Sequence, residues 1–318
     1  MRYTILLLLL SSVLHCRDIA PAAVFTASGT VSDFAVEGGK LFIGTDRGVV
    51  DVFDIEKGRL LYQIPLDPVK DATGEKMAAR ILSVDTRNGS LLILSIGENG
   101  FRDIWIYKNF TLHKVVGGSR KLFVKEARFF GGTDVIAGTF GSRVARYGIE
   151  EGYEVFNAKA SQSTMGDMVL IDGGERLVVS DEAGKIRLME TKSGRILREI
   201  PSKHLDKVHH LAYAKGVLVS GGHDRRVGIH AKEVTAYYLR TEFPVFCVGI
   251  SPDAKTGLFS SGDEQVLQLF DIKSGKLTDR LVGHRALINQ IKFIDSCTLL
   301  SSERGSRVLL WHICKNAQ

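Results

Sequence analysis

With 318 residues, 44% hydrophobic and 25% charged, the chain has ordinary globular composition and enough length to bury a sizeable core. Its formal charge of +6 gives a weak pull toward acidic partners, and the lack of a basic stripe interleaved with aromatics argues against nucleic-acid binding. Thirty-three glycines against six prolines favour short strands joined by tight turns.

The first element in chain order is a leader. Met1-Arg2 is a short basic start, and residues 5–10 form an unbroken apolar run that resumes at Val13-Leu14. This is the pattern of a secretory signal, too short for a membrane span of about 20 apolar residues. Ala20 and Ala22 supply the small residues a signal peptidase reads, which predicts cleavage after Ala22. An uncleaved anchor and a lipidated Cys16 are the alternatives. His15 weighs against the second, because a small residue normally precedes a lipidated cysteine. The expectation is residues 1–22 as leader, residues 23–318 as the folded domain, and a periplasmic location without a stable membrane span.

Behind the leader a unit of about forty-one residues recurs. Three copies end alike: Phe53-Asp54-Ile55-Glu56-Lys57-Gly58-Arg59, Met189-Glu190-Thr191-Lys192-Ser193-Gly194-Arg195 and Phe270-Asp271-Ile272-Lys273-Ser274-Gly275-Lys276. Aligned on the bulky position, the chain gives Phe53, Tyr107, Tyr147, Met189, His230, Phe270 and Trp311, spaced 54, 40, 42, 41, 40 and 41 residues apart. The long first interval matches one polar insertion, residues 67–79. Each unit holds short β-rich runs; in the fourth there are four, 168–171, 176–180, 185–189 and 195–200. Four strands at this period form one propeller blade. Blades must stack around an axis, because a single blade cannot bury both of its faces. The prediction is an all-β, seven-bladed propeller. The last unit lacks a fourth strand, and residues 23–28 are placed to supply it and cover the open edge.

The units resemble WD40 repeats. The fifth has Lys203-His204-Leu205-Asp206-Lys207-Val208, then Val217-Leu218-Val219-Ser220-Gly221-Gly222-His223-Asp224; the seventh has Gly283-His284 and ends in Trp311-His312. The resemblance implies a buried hydrogen-bonded set of histidine, hydroxyl, aspartate and tryptophan. His204, Ser220 and Asp224 fit it in blade five, with His230 standing in the tryptophan's place; His284 and Trp311 belong to blade seven. The leader, the divergent units, Gly48-Val49-Val50-Asp51-Val52-Phe53-Asp54 and Asp224-Arg225-Arg226 are also similar to an accessory protein family of the periplasmic nitrate reductase system in epsilonproteobacteria. That likeness implies a helper in maturation of, or electron supply to, the reductase.

Catalytic motifs are not found. The sequence has no G-x-S-x-G, phosphate-binding glycine loop, H-E-x-x-H or C-x-x-C-H, so the expectation is a non-enzyme without cofactor or metal. Five histidines fall in blade five, but His204 and His230 have structural places, and His209 and His210 point to opposite faces of one strand. The expected binding surface is the face that carries the insertion. Its charged loops offer Asp46, Arg47, Asp67, Lys70, Asp71, Glu75, Lys76, Asp181, Glu182, His223, Arg225, Asp263, Glu264, Glu303 and Arg304, on a rigid ring suited to a protein partner such as a periplasmic redox enzyme. The competing reading is a substrate-binding or hydrolytic propeller with its site at the channel mouth. A deep pocket ringed by convergent carboxylates or histidines would favour it. Of the cysteines, Cys247 lies in an inner strand as a core thiol. Cys297 and Cys314 reach the same end of blade seven, where either a disulfide or two separate thiols fits.

Overall fold

The computed structural model describes residues 16–231, 236–262 and 265–314. Residues 1–15 of the leader, and Asp263 and Glu264 of the expected binding face, lie outside the described residues. Seven sheets of at least four strands follow one another around a central axis, as the repeat period requires. Blade one runs Val31–Glu37, Lys40–Thr45, Val49–Asp54 and Arg59–Pro65, each strand antiparallel to the last. In blade four the strands are Met165–Ile171, Arg176–Asp181, Ile186–Glu190 and Ile196–Ile200. The first begins three residues before the apolar pattern does, because Met165 pairs with Asp181 across a bulge that apolar periodicity does not register.

The closing phrases are turns. Gly58, Gly152, Gly194 and Gly275 all take positive φ, between 61° and 73°, a conformation that side chains disfavour. This explains the glycine five residues after Phe53, Tyr147, Met189 and Phe270. The second and third strands of the blades are the most buried. Leu41, Ile43, Leu92, Leu94, Val219 and Leu299 are fully enclosed, whereas the fourth strands keep exposed positions such as Leu60, Ile196 and Leu277.

The ring closes where expected. Ala23–Thr26 pairs antiparallel with Arg307–His312, Ala23 against Leu310 and Thr26 against Arg307, and supplies the fourth strand of blade seven. Phe25 is 1% exposed and meets Phe53 of blade one edge-on at 5.6 Å. The preceding residues add a second seam that apolar patterning does not reveal. Asp18–Ile19 pairs parallel with Leu277–Leu281 as a fifth strand of blade six. The Arg17 guanidinium donates to Asp279 at 3.1 Å and to the Ile313 carbonyl at 3.2 Å, Arg280 grips Asp18 at 2.8 and 2.9 Å, and the Ala22 amide donates to Leu310 at 2.7 Å. Residues 17–22, assigned to the leader on small-residue spacing, are thus built into the ring, and a cut after Ala22 would remove them.

Of the two cysteine arrangements, the structure has the disulfide: Cys297 and Cys314 are bonded, their Cα atoms 5.1 Å apart. Cys247 is a free, fully buried thiol, pushed up to about 12 by burial.

Deleting residues 23–26 should destabilise the ring by several kcal/mol, at about 1 kcal/mol per net hydrogen bond lost and with blade seven left an open edge. Deleting residues 16–22 alone should cost less, because blade six keeps four strands. Thermal melting of the two truncations against the longer chain checks the order; equal melting temperatures for all three would refute it.

Candidate functional site

Two buried hydrogen-bonded sets brace the face that carries the insertion. In blade five, His204 Nδ1 lies 2.9 Å from Asp224 Oδ1 and its Nε2 2.9 Å from Ser220 Oγ. His230, in the tryptophan's place, reaches Ser220 only at 3.4 Å. In blade seven, His284 Nδ1 lies 2.8 Å from Glu303 Oε2, its Nε2 2.7 Å from Ser301 Oγ, and Trp311 Nε1 donates to the same hydroxyl at 2.7 Å. Glutamate replaces the aspartate in this set. Glu303 was expected on the binding face, but it is 2% exposed because its longer side chain folds inward to the histidine. Asp181 leaves that face because its carboxylate turns inward to a hydroxyl and a guanidinium. It is 1% exposed, accepts from Ser161 at 2.5 Å and pairs with Arg187 at 2.6 Å.

The channel is held by bonds between blades. Asp33 accepts the Val84 amide at 2.9 Å, Ser83 the Ala127 amide at 3.1 Å, Asp167 the Leu211 amide at 2.7 Å, His210 the Val248 amide at 3.4 Å and Gln290 the Phe34 amide at 3.0 Å. Each acceptor sits two positions into its inner strand, and a bulge beside Asp33, His210 and Gln290 turns the side chain toward the next blade. On its other side the channel widens into a cavity of about 630 Å³, lined by Asp85, Arg87, Arg128, Asp167, His210 and Lys292. Carboxylates and a histidine therefore do converge there. Asp85, Asp167 and His210 are committed to backbone amides of neighbouring blades, so they serve the ring before any substrate. No group of three or more His, Cys, Asp or Glu among the described residues could hold a metal ion.

On the insertion face, Arg47, Asp67, Lys70, Glu75, Lys76, Glu182, His223, Arg225 and Arg304 are exposed, while Asp46 and Asp71 are half-buried. Asp46 accepts the Thr30 amide at 2.8 Å, and Asp71 accepts the Thr73 and Glu75 amides at 2.8 and 3.0 Å. The insertion is a small ribbon, Val69–Lys70 against Lys76–Met77. It walls a groove of about 560 Å³ with Glu98, Asn99, Phe101, Trp105 and Lys121. Lys114 stacks on Trp105 at 4.3 Å and pairs with Asp103 at 2.8 Å. Charge patterning missed the apolar part of this face. Phe123 is 53% exposed, Phe140 44% and Leu205 76%, and Phe101 and Phe123 lie 5.2 Å apart. Aromatics in loops between β-runs were the available signal.

This geometry defines a seven-bladed β-propeller with WD40-like repeats. No family model matches the chain. Two plant proteins are similar to part of it: Protein SPA1-RELATED 3 of Arabidopsis thaliana, 24% identical over 149 residues, and Protein SPA1-RELATED 4 of the same plant, 24% identical over 141 residues. These alignments cover 45% and 42% of this chain but only 17% and 18% of the plant proteins. Among solved structures, the computationally designed Ika8 protein superposes with a TM-score of 0.65 at 17% identity, over 93% of this chain and all of that one. At such identity the likeness concerns fold alone. No helix among the described residues is long and apolar enough to cross a membrane.

The channel groups make stability pH-dependent. Burial raises Glu126 to about 8, against the pull of Arg128 and with help from Asp167. Burial lowers His210 to about 4, against the pull of Glu126. The stability linked to a raised carboxyl is fully present below 4.5 and is lost as pH rises through its folded value. That linked to a lowered histidine is present above 6.5 and is lost as pH falls. Melting temperature should therefore decline on both sides, with E126Q flattening the alkaline arm and H210N the acid arm. Melting scans from pH 4 to 9 check this; arms unchanged by both substitutions would refute it.

Proposed function

We propose that the protein is a non-catalytic interaction scaffold of an oxidising compartment outside the cytoplasm, and that it docks its partner on the insertion-bearing face. The observation that carries this reading is the groove beside the 67–79 ribbon. It is apolar at Phe101 and Trp105, and charged residues surround it, the composition of an interface with a hydrophobic centre and polar rim. The more specific reading is an accessory factor for maturation of, or electron supply to, a periplasmic nitrate reductase. The resemblance of the repeat phrases supports it. The disulfide supports export, since such bonds persist in oxidising compartments.

In this reading the leader ends ahead of Arg17, because Arg17–Asp18 hydrogen bonds and the Ile19 pairing belong to the folded ring. Intact mass of the exported protein should place its first residue at or before Arg17. A start at Ala23 would refute this boundary.

The docking face is tested by replacing residues 67–79 with a short Gly/Ser loop. Loop length changes stability only slowly, so the melting temperature should hold within a few degrees. Capture of periplasmic nitrate reductase or its maturation factors by the immobilised full chain should drop at least roughly tenfold, the effect of losing about 1.4 kcal/mol. Undiminished capture would move the interface elsewhere, and no capture by the unaltered chain would refute the nitrate reductase assignment.

A further inference from the structure

Each gap between neighbouring blades is filled by the bulky residue that closes a third strand, with one exception. Phe53, Tyr107, Tyr147, Met189, Phe270 and Trp311 pack into the clusters between blades seven and one, one and two, two and three, three and four, five and six, and six and seven. The cluster between blades four and five has Ile171, Val178, Ile186, Leu188, Val208, Leu211 and Leu218, and no closing residue. His230 holds that place. Its ring is drawn to the Ser220 side and meets Tyr238 edge-on at 5.7 Å. Tyr238 crosses above Gly228, where a Cβ would lie 2.8 Å from its ring.

The unfilled space is open. A cavity of about 570 Å³ lies between these blades, walled by Val178, Leu188, Leu218 and Ile200, with His230 at its floor. Burial lowers His230 to about 4, so the floor is neutral at neutral pH. Arg176 on the rim is occupied by Asp172 at 2.6 Å, and Asp172 also accepts from Tyr213 at 2.6 Å. Arg198 and Lys215 also line the cavity; both are exposed and neither has an ion pair among the described residues. An apolar interior beside two cations that have no ion pair among the described residues matches a ligand with an apolar body and an anionic head.

We propose that the cavity between blades four and five is a binding site for a small amphiphilic anion, with its chain or ring against Val178, Leu188 and Leu218 and its carboxylate or similar head at Arg198 and Lys215. The substitution of a tryptophan-type closing residue by His230 creates the site. It lies between two blades, apart from the insertion face, and does not depend on the scaffold reading.

Calorimetric titration of the full chain with decanoate, and with neutral decanol as comparator, tests the proposal. Decanoate should bind at one site per chain and decanol at least roughly tenfold more weakly. H230W places an indole in the gap, with Ser220 positioned to accept its N–H as Ser301 does for Trp311. It should abolish decanoate binding. Because Tyr238 crowds that position, R198A/K215A, which leaves the core untouched, provides the second arm. Both of its residues are exposed, so its melting temperature should match the unaltered chain, and decanoate binding should weaken roughly tenfold while decanol is unaffected. Flotation with anionic phospholipid vesicles separates a free amphiphile from a membrane lipid, and the chain should not float. The proposal is overturned if decanoate does not bind, if decanol binds equally well, if folded H230W and R198A/K215A both bind like the unaltered chain, or if the chain binds vesicles and not decanoate.

Discussion

Seven separate sheets share no backbone ladder, so the ring depends on what passes between blades. The most direct link is the belt of side chains that accept a main-chain amide from the next blade: Asp33, Ser83, Asp167, His210 and Gln290. Each of these bonds satisfies a buried donor that would otherwise cost about 1–3 kcal/mol. Each also fixes the angle between two sheets, and hence the number of blades that closes the circle. The belt explains why so many polar groups sit in the channel of an otherwise apolar core. It also explains why burial raises the Asp167 carboxyl and lowers the His210 imidazole, since groups retained for hydrogen bonding are denied solvent.

The belt cannot hold the first blade to the last unless the chain's ends are brought together, and the molecule concentrates its fastenings at that seam. Ala23–Thr26 completes blade seven. Asp18–Ile19 extends blade six. The disulfide ties the second strand of blade seven to the end of its third. Arg17 spans both blades through Asp279 and Ile313. For a ring, the seam is the place where opening costs least, because elsewhere the covalent chain joins neighbouring blades. Disulfide closure of a 17-residue separation contributes about 3 kcal/mol in the chain-entropy view.

A rigid ring frees its loops. The insertion ribbon and the exposed Phe123, Phe140 and Leu205 can vary without disturbing the belt, which is the general reason binding surfaces collect on loops. The two inferred sites differ in origin. The groove on the insertion face is built by added chain. The cavity between blades four and five is made by subtraction, where a smaller residue fails to fill a space that its counterparts fill.

The repeat, the blade count and the closure by residues 23–26 were legible in the sequence, because strand alternation and glycine turns are local and recur at a fixed period. His204, Ser220 and Asp224 could be placed for the same reason, as each has a fixed offset within its unit. What escaped were contacts between residues far apart in the chain. The role of Glu303 was hidden because glutamate sits where an aspartate is usual, and a buried acid and a solvated one look alike until their partner is known. The belt was hidden because its members differ chemically from blade to blade and share only a position. Asp18–Ile19 looked like the end of a leader, since two residues carry no periodicity. Tertiary structure decided these points because hydrogen-bond acceptance, burial and cavity volume belong to pairs of surfaces, whereas a sequence pattern records one strand at a time.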